Sequence, residues 1–507
     1  MKFLLAPLDE RPVNTRYPQM VAAIAGAELR LPPVEVRGSG RRPADTQAVA
    51  TWLAGEAKDA DGVVASVEFL AWGNLINSRI SEASASDGLA RLSALDGLKN
   101  VFAFGLITRV SNANDCVEEP LYWKVWGTRI YALSQLLHKQ SAGVLTAEEA
   151  EKLTALRAEI PAEFVGDWLV RRARNHTLNL ALIERLASGG LDFLLLTSDD
   201  TSPWGLPSRE KAYLEGWLKI LGPAVDGRTR MHPGADEVGS ALVARMLCKS
   251  FGKSLNICPV YSHAGGEEIT APYEDRAVRL TVEGQIGACG GQLWPDPETA
   301  DVILAVLTPS PVRTEWRQSF AESEREARTA GYEELFAKIG AWQEAGKLVA
   351  LGDVAYPNGA DPLAIELLFA EDSPVKPGKL ASFGAWNTAG NSLGTTVAQA
   401  VALFLAGDKA DDRAQSVALA HHFLEGWGYQ TEVRREARAN NVERGWHYDP
   451  DPASDEQQKF TCASIEAGLT ERLKTLQSAG IGVGLTLAPG SVSLPWKRTF
   501  ECDFTLE

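Results

Sequence analysis

The feature that most constrains this chain is a repeated alternation of short, wholly apolar runs with longer stretches of helical periodicity. The runs fall at 3–7, 62–67, 101–107, 193–197, 229–232, 255–260, 302–307, 348–351 and 380–383. Helical spacing appears between them, at 46–57, 168–187, 238–248 and 332–344 among others. A strand that is apolar on both faces must be covered on both, which is the situation of a strand in a parallel sheet flanked by helices. Strand followed by helix, repeated in this way, predicts a parallel α/β fold. A (β/α)8 barrel fits the count best, and a doubly wound parallel sheet is the alternative. Residues 111–188 hold no strand pattern and read as a helical insertion. The texture changes near residue 406, so 1–406 is expected to form the main domain and 407–507 a smaller terminal one.

Charge and leader features narrow the partners. The net charge of −16, from 66 acidic and 50 basic residues, opposes binding to phosphate backbones, and no basic stripe offsets it. Nucleic acid and membrane are therefore not expected partners. The opening MKFLLAPLDERPVN has too short an apolar run for a secretory leader and reads as a first strand entering a polar loop. No stretch approaches about 18 uninterrupted apolar residues, so no spanning helix is expected. The expected location is cytoplasmic. The six cysteines, at 116, 248, 258, 289, 462 and 502, form no C-x-x-C pair and are expected to be reduced thiols.

The polar residues are concentrated where the apolar runs end. These clusters are LDERPVN (8–14), SDDTSPWG (198–205), HPGADEVG (232–239), GDVAYPNGAD (352–361) and AWNTAGNSLG (385–394). In parallel α/β folds, ligands bind on loops leaving the carboxyl ends of strands. Turn and cap formation explains any one cluster. Five in one chain favour a functional site.

Asp199 and Asp200 are adjacent carboxylates that cannot both ionise cheaply in a low-dielectric cleft, which leaves one proton available for donation. The structural alternative is that one of them caps the helix after Pro203. Asp236 and Glu237 form a second pair at the start of the 238–248 helix, where a helix dipole favours carboxylates in any case. His232 is a core histidine, a partner of that pair or a metal ligand, in that order. Trp386, Asn387 and Asn391 offer a ring and amides suited to a sugar, or a cap for the following helix. Tyr356, Asn358 and Asp361 form a similar set, and Asp9, Arg11 and Asn14 supply the contribution of the first strand. Arg11 can clamp a carboxylate or pair with Asp9. No nucleotide-binding glycine motif, zinc-protease helix or nucleophile elbow is present, and no cofactor is expected.

The motifs LAPLDERPVN, GNLINSR (73–79), LLLTSDD, HPGADEVG, YPNGAD and WNTAGNSLGT together resemble a bacterial family known as a domain of unknown function, over nearly the whole chain. Where other members tend to carry an aspartate before the GNLINSR-like motif, this chain has Val67-Glu68. The Asp199-Asp200 pair is also similar to that of the family-84 glycoside hydrolases. His232-Pro233-Gly234-Ala235-Asp236-Glu237 is similar to the H-x-G-G-D-E of the family-20 enzymes, with Ala235 in place of the second glycine. These are retaining N-acetylhexosaminidases on barrels, in which the 2-acetamido oxygen of the substrate attacks the anomeric carbon. The resemblance implies that Asp199 orients the acetamido group and Asp200 protonates the leaving oxygen, with Asp236 and Glu237 as the reserve pair.

The leading expectation is thus a glycoside hydrolase for an amino-sugar or related glycoside. A second is a divalent-metal hydrolase or lyase using Asp9, Asp199, Asp236 and Asp353. A third is a carbohydrate-binding protein without turnover.

Overall fold

The computed structural model describes residues 1–199, 202–312, 314–316, 318–451 and 454–507, without the side chains of 318–321 and 323. The chain forms two compact units, one of residues 1–10 and 29–239, the other of residues 11–28 and 240–507.

The sheet of the first unit contains β1 (Lys2–Ala6), β2 (Glu28–Arg30), β3 (Gly62–Ser66), β4 (Val101–Ile107), β5 (Phe193–Ser198) and β6 (Thr229–Pro233), in the order β2-β1-β3-β4-β5-β6. That of the second unit contains β7 (Asn256–Tyr261), β8 (Gln292–Leu293), β9 (Val302–Leu307), β10 (Val349–Asp353) and β11 (Ser382–Gly384), in the order β8-β7-β9-β10-β11. Pairing is parallel in both, with Leu4 beside Val63 and Phe104 beside Leu195 in the first, and Leu304 beside Ala350 and Pro259 in the second. The parallel α/β class follows from these pairings. The strands lie in two open sheets rather than one closed ring, and both sheets follow the doubly wound alternative. Counted from its own first strand, each sheet begins 2-1-3-4-5, an order that places a switch point between its first and third strands.

All nine apolar runs are strands. The two strands that carried no signal, β2 and β8, are edge strands of three and two residues with exposed positions. Between β4 and β5 lie the helices Trp123–Ala142, Ala147–Glu159 and Ala162–Ala187. Gly143, at φ +70°, ends the first of them, and a Thr146/Glu149 capping box starts the second. Trp123, Ile130, Leu133, Leu153, Leu156 and Trp168 give this region its own core.

In the second unit the helix Ala389–Ala406 is buried along nearly its whole length. It is long and apolar enough to cross a membrane by composition alone, yet 83% of its most apolar window is buried inside the protein, as in a core helix. Beside it, the helix Asp412–Phe423 runs without a break into a π-helix, Leu424–Val433, and then the helix Arg434–Glu443. Phe383 on β11 stacks on Phe423, with ring centroids 3.9 Å apart. The helix Asp455–Ser478 closes the core with Ile465, Leu469, Leu473 and Leu476. Residues after 407 therefore share one core with β9, β10 and β11. Arg16–Ile24, the helix following β1 in sequence, belongs to this second unit and packs on the helices Ala389–Ala406 and Asp412–Phe423.

Candidate functional site

The site that best combines charge, burial and fixed geometry lies in the first unit and is centred on Arg79. The GNLINSR segment aims this side chain. Gly73 ends the helix Val67–Trp72 at φ +100°, and a Cβ there would lie 2.6 Å from the Pro43 side chain, so the approach of the two backbones requires glycine. Asn74 caps the helix Leu75–Ile80 through its bond from Asn77 N (2.8 Å), and its amide donates to Gly40 O (2.9 Å). Arg174 and Asn175 donate to Ser78 O at 2.8 and 2.9 Å, while Arg174 stacks on Trp72. Asn74, with Arg174 and Asn175 from outside the motif, thus holds the short helix in place.

Arg79, buried, reaches three carboxylates. Its Nη2 donates to Asp199 Oδ2 at 2.5 Å, and its Nη1 lies 3.0 Å from Glu118 Oε2 and 3.4 Å from Glu119 Oε1. Arg109 approaches the same two glutamates at 3.1 and 3.9 Å. Three carboxylates face two guanidiniums, and removal from water makes the surplus negative charge unfavourable. Burial pushes the Glu119 carboxyl up to about 7, against the lowering pull of Arg79 and Arg109. One carboxyl of this cluster is therefore able to hold a proton near neutrality while Asp199 is held by a charged guanidinium. Glu68, after β3, is a second such group. Burial raises it to about 7 although it accepts bonds from Leu106 N (2.7 Å) and Ser66 Oγ (3.1 Å).

The sequence-derived site residues divide between the units. Asp9, Asp199, His232, Asp236 and Glu237 belong to the first, and Asp200 lies outside the described residues. Asp199 does not cap the next helix, whose N-cap is Gly205. His232 is a core histidine, its Nδ1 2.8 Å from Pro233 O and 3.9 Å from Glu237 Oε1. Glu237 is fully buried and folds back on its own loop, accepting from Ala235 N at 3.0 Å. Asp9 and Asp236 are buried as well.

Arg11, Asn14, Tyr356, Asn358, Asp361, Trp386, Asn387 and Asn391 belong to the second unit. Asn358 and Asn387 come together, Asn358 N donating to Asn387 O at 2.9 Å, and both hold positive φ (61° and 63°). Asp361 caps the helix Pro362–Leu368 and pairs with Arg328, which also donates to Tyr356 Oη at 2.5 Å. Asp353 accepts from Ala355 N and Asp361 N, and burial raises it to about 7. Trp386 packs with Val13 and Tyr17 in a buried cluster, so its ring is not an open floor. Arg11 lies 3.7 Å from Glu501 and stacks on Trp496 at 4.4 Å. Asn14 ends the turn Pro12–Asn14, and Thr388, not Asn387 or Asn391, holds the N-cap position of the next helix, without a side-chain capping bond, with Asn391 buried in its first turn.

The four aspartates of the metal expectation divide in the same way, with Asp353 in the second unit and the other three in the first. Among the described residues no three His, Cys, Asp or Glu side chains are grouped as a metal site. Glu68, Arg79, Arg109, Glu118, Glu119 and Arg328 were not predicted as site residues. Two of these carried a signal, Arg79 as the last residue of GNLINSR and Glu68 at the position before that motif where other members tend to carry an aspartate.

No curated protein and no solved structure matches this sequence. A family described as "Protein of unknown function (DUF4127)" matches residues 3–505, and the chain belongs to that family.

Proposed function

We propose that this chain is a glycoside hydrolase acting on an amino-sugar or related glycoside, with its acid–base groups at the carboxyl end of β5. The observation that carries this reading is the division of labour around Arg79. Asp199 is paired with a guanidinium at 2.5 Å, whereas Glu119, 3.4 Å from the same side chain, is raised to about 7 by burial. A salt-bridged carboxylate beside a carboxyl raised by burial brings a stabiliser and a proton donor to one place. In a substrate-assisted route the acetamido oxygen forms a bond to the anomeric carbon as the glycosidic bond breaks. Asp199 stabilises the positive charge that develops on the amide, and a neutral carboxyl protonates the departing oxygen. Water then opens the cyclic intermediate and returns its proton to that carboxyl. Asp200, next in the chain, is the assigned donor, and Glu119 is its rival.

The test is release from aryl glycosides with and without a 2-acetamido group, for the wild type, Asp199→Asn, Asp200→Asn and Glu119→Gln. Turnover confined to acetamido sugars, lowered about 100-fold or more in Asp200→Asn, supports the assignment. The same loss in Glu119→Gln alone moves the donor to Glu119. An inactive wild type across the panel, or full activity in Asp199→Asn, overturns the reading.

A further inference from the structure

The second unit contains a cavity of about 360 Å³ that none of the foregoing chemistry uses. One wall is the turn after β10, with Asn358 at φ +61° and Gly359 at φ +143°. The opposite wall is the π-helix Leu424–Val433 and the helix that continues it. The walls are fastened together. Ala360 N donates to Gly426 O, Thr431 Oγ1 donates to Ala360 O, both at 2.9 Å, and a Cβ on Gly359 would lie 2.9 Å from Thr431 Oγ1. Irregular backbone on both sides, held in register, is the setting in which a π-helix commonly serves a site.

The polar groups on this cavity are unevenly matched. Arg434, Arg435 and Arg438 all line it, in a chain of net charge −16. Arg438 is satisfied by Thr499 Oγ1 (2.7 Å) and Asp449 (3.4 Å). Among the described residues Arg434 bonds the neutral amide oxygen of Gln430 alone (2.8 Å), and it lies 5.2 Å from the centre of the Phe500 ring. Of the acids that act on Arg434, Asp449 is shared with Arg438, and Glu425 is pushed by burial up to about 8 and so carries little charge at neutral pH. Arg435 is exposed and has no ion pair among the described residues. Two buried donors on the cavity, Arg434 Nε and Trp316 Nε1, have no hydrogen-bond partner among the described residues. Donors turned to a cavity in this way are available to acceptors that arrive with a ligand. Across the cavity Glu315 accepts from Asn358 Nδ2 at 3.2 Å, an acceptor facing hydroxyl-sized donors.

We propose that this cavity binds an anionic sugar, its carboxylate or phosphate on Arg434, Arg435 and Trp316 and its hydroxyls towards Glu315 and Asn358. Guanidinium forks suit planar carboxylates and phosphates alike, and the volume falls in the range of small-ligand sites. Because no residue here belongs to the Arg79 cluster, this site and the hydrolase reading fail separately.

Calorimetric titration of the full chain with glucuronate, glucose 6-phosphate, inorganic phosphate and glucose tests it. At least one anionic sugar should bind about tenfold or more tighter than both glucose and inorganic phosphate, and the tighter of the two identifies carboxylate or phosphate. Arg435→Gln, an exposed change that leaves the fold intact, and Trp316→Phe, which removes only the indole donor, should each weaken that binding by about tenfold. The site is refuted if the anionic sugars bind no better than glucose, or if both variants bind as the wild type does.

Discussion

Gly234 illustrates how tightly single residues are specified around the first-unit loops. It sits at φ +133°, where L side chains are rarely found, and a Cβ would lie 2.0 Å from Glu237 Oε1. Gly234→Ala must therefore displace a fully buried carboxylate as well as strain the backbone, and should destabilise the protein by roughly 2 kcal/mol or more in urea unfolding. Wild-type stability in that variant would show that Glu237 is loosely held. Arg79 is specified from the opposite direction, by what its loss would strand. Arg79→Met leaves Asp199, Glu118 and Glu119 without the guanidinium at their centre, and losing one partner of a buried pair costs about 3–5 kcal/mol. Arg79→Lys should recover part of that stability but not the three-way contact, which needs a planar fork. Equal melting temperatures for the Met and Lys variants would contradict this account. The sequence made Asp199 legible because it ends an apolar run. It marked Arg79 only as the end of a motif and could not join it to Asp199 or Glu119, because the Arg79–Asp199 bond joins residues separated by 120 positions and nothing local records such a contact.

At the level of elements, legibility followed burial. Strands apolar throughout announce themselves, and β2 and β8 do not because each forms a sheet edge with few buried side chains. Whether parallel strands close into a ring or split into two sheets depends on non-local pairing, and both arrangements present the same local pattern. The π-helix was invisible for a related reason. LEGWGYQTEV has no periodicity of its own, and its Gly426 and Gly428 pack closely against Ala385 and Arg472, which are distant in sequence. That element also carries a pH dependence. Glu425 is raised by burial from its ordinary 4.5 to about 8. Between those values the folded chain holds a proton that the unfolded chain has released. Its contribution is therefore full below the ordinary pKa and is lost as pH rises through the folded value. Glu425→Gln keeps the bonding shape without titrating, so its melting temperature should fall less than that of the wild type between about pH 5 and about pH 8. Parallel melting curves would mean that Glu425 is solvated in the folded state.

Across the whole molecule, Glu68, Glu119 and Asp353 titrate in the same sense, each raised to about 7 by burial. Their effects add to self-repulsion in a chain of net charge −16, so overall stability should be greater at mildly acidic pH than at mildly alkaline pH. The shared beginning of the strand order in the two sheets gives the molecule two comparable scaffolds. The partition of chain between them is less even, because residues 1–10 serve one unit and 11–28 the other. This has a consequence during synthesis on the ribosome. Domains usually fold in the order they emerge. Strand β1 can join β3 early, but the helix Arg16–Ile24 lacks its main packing partners until the helices ending at Ala406 and Phe423 have been translated. That amphipathic segment, with Tyr17, Val21 and Ile24 on its buried face, must remain exposed for most of elongation, an opening for a nascent-chain chaperone and a point at which a stalled or truncated product would aggregate.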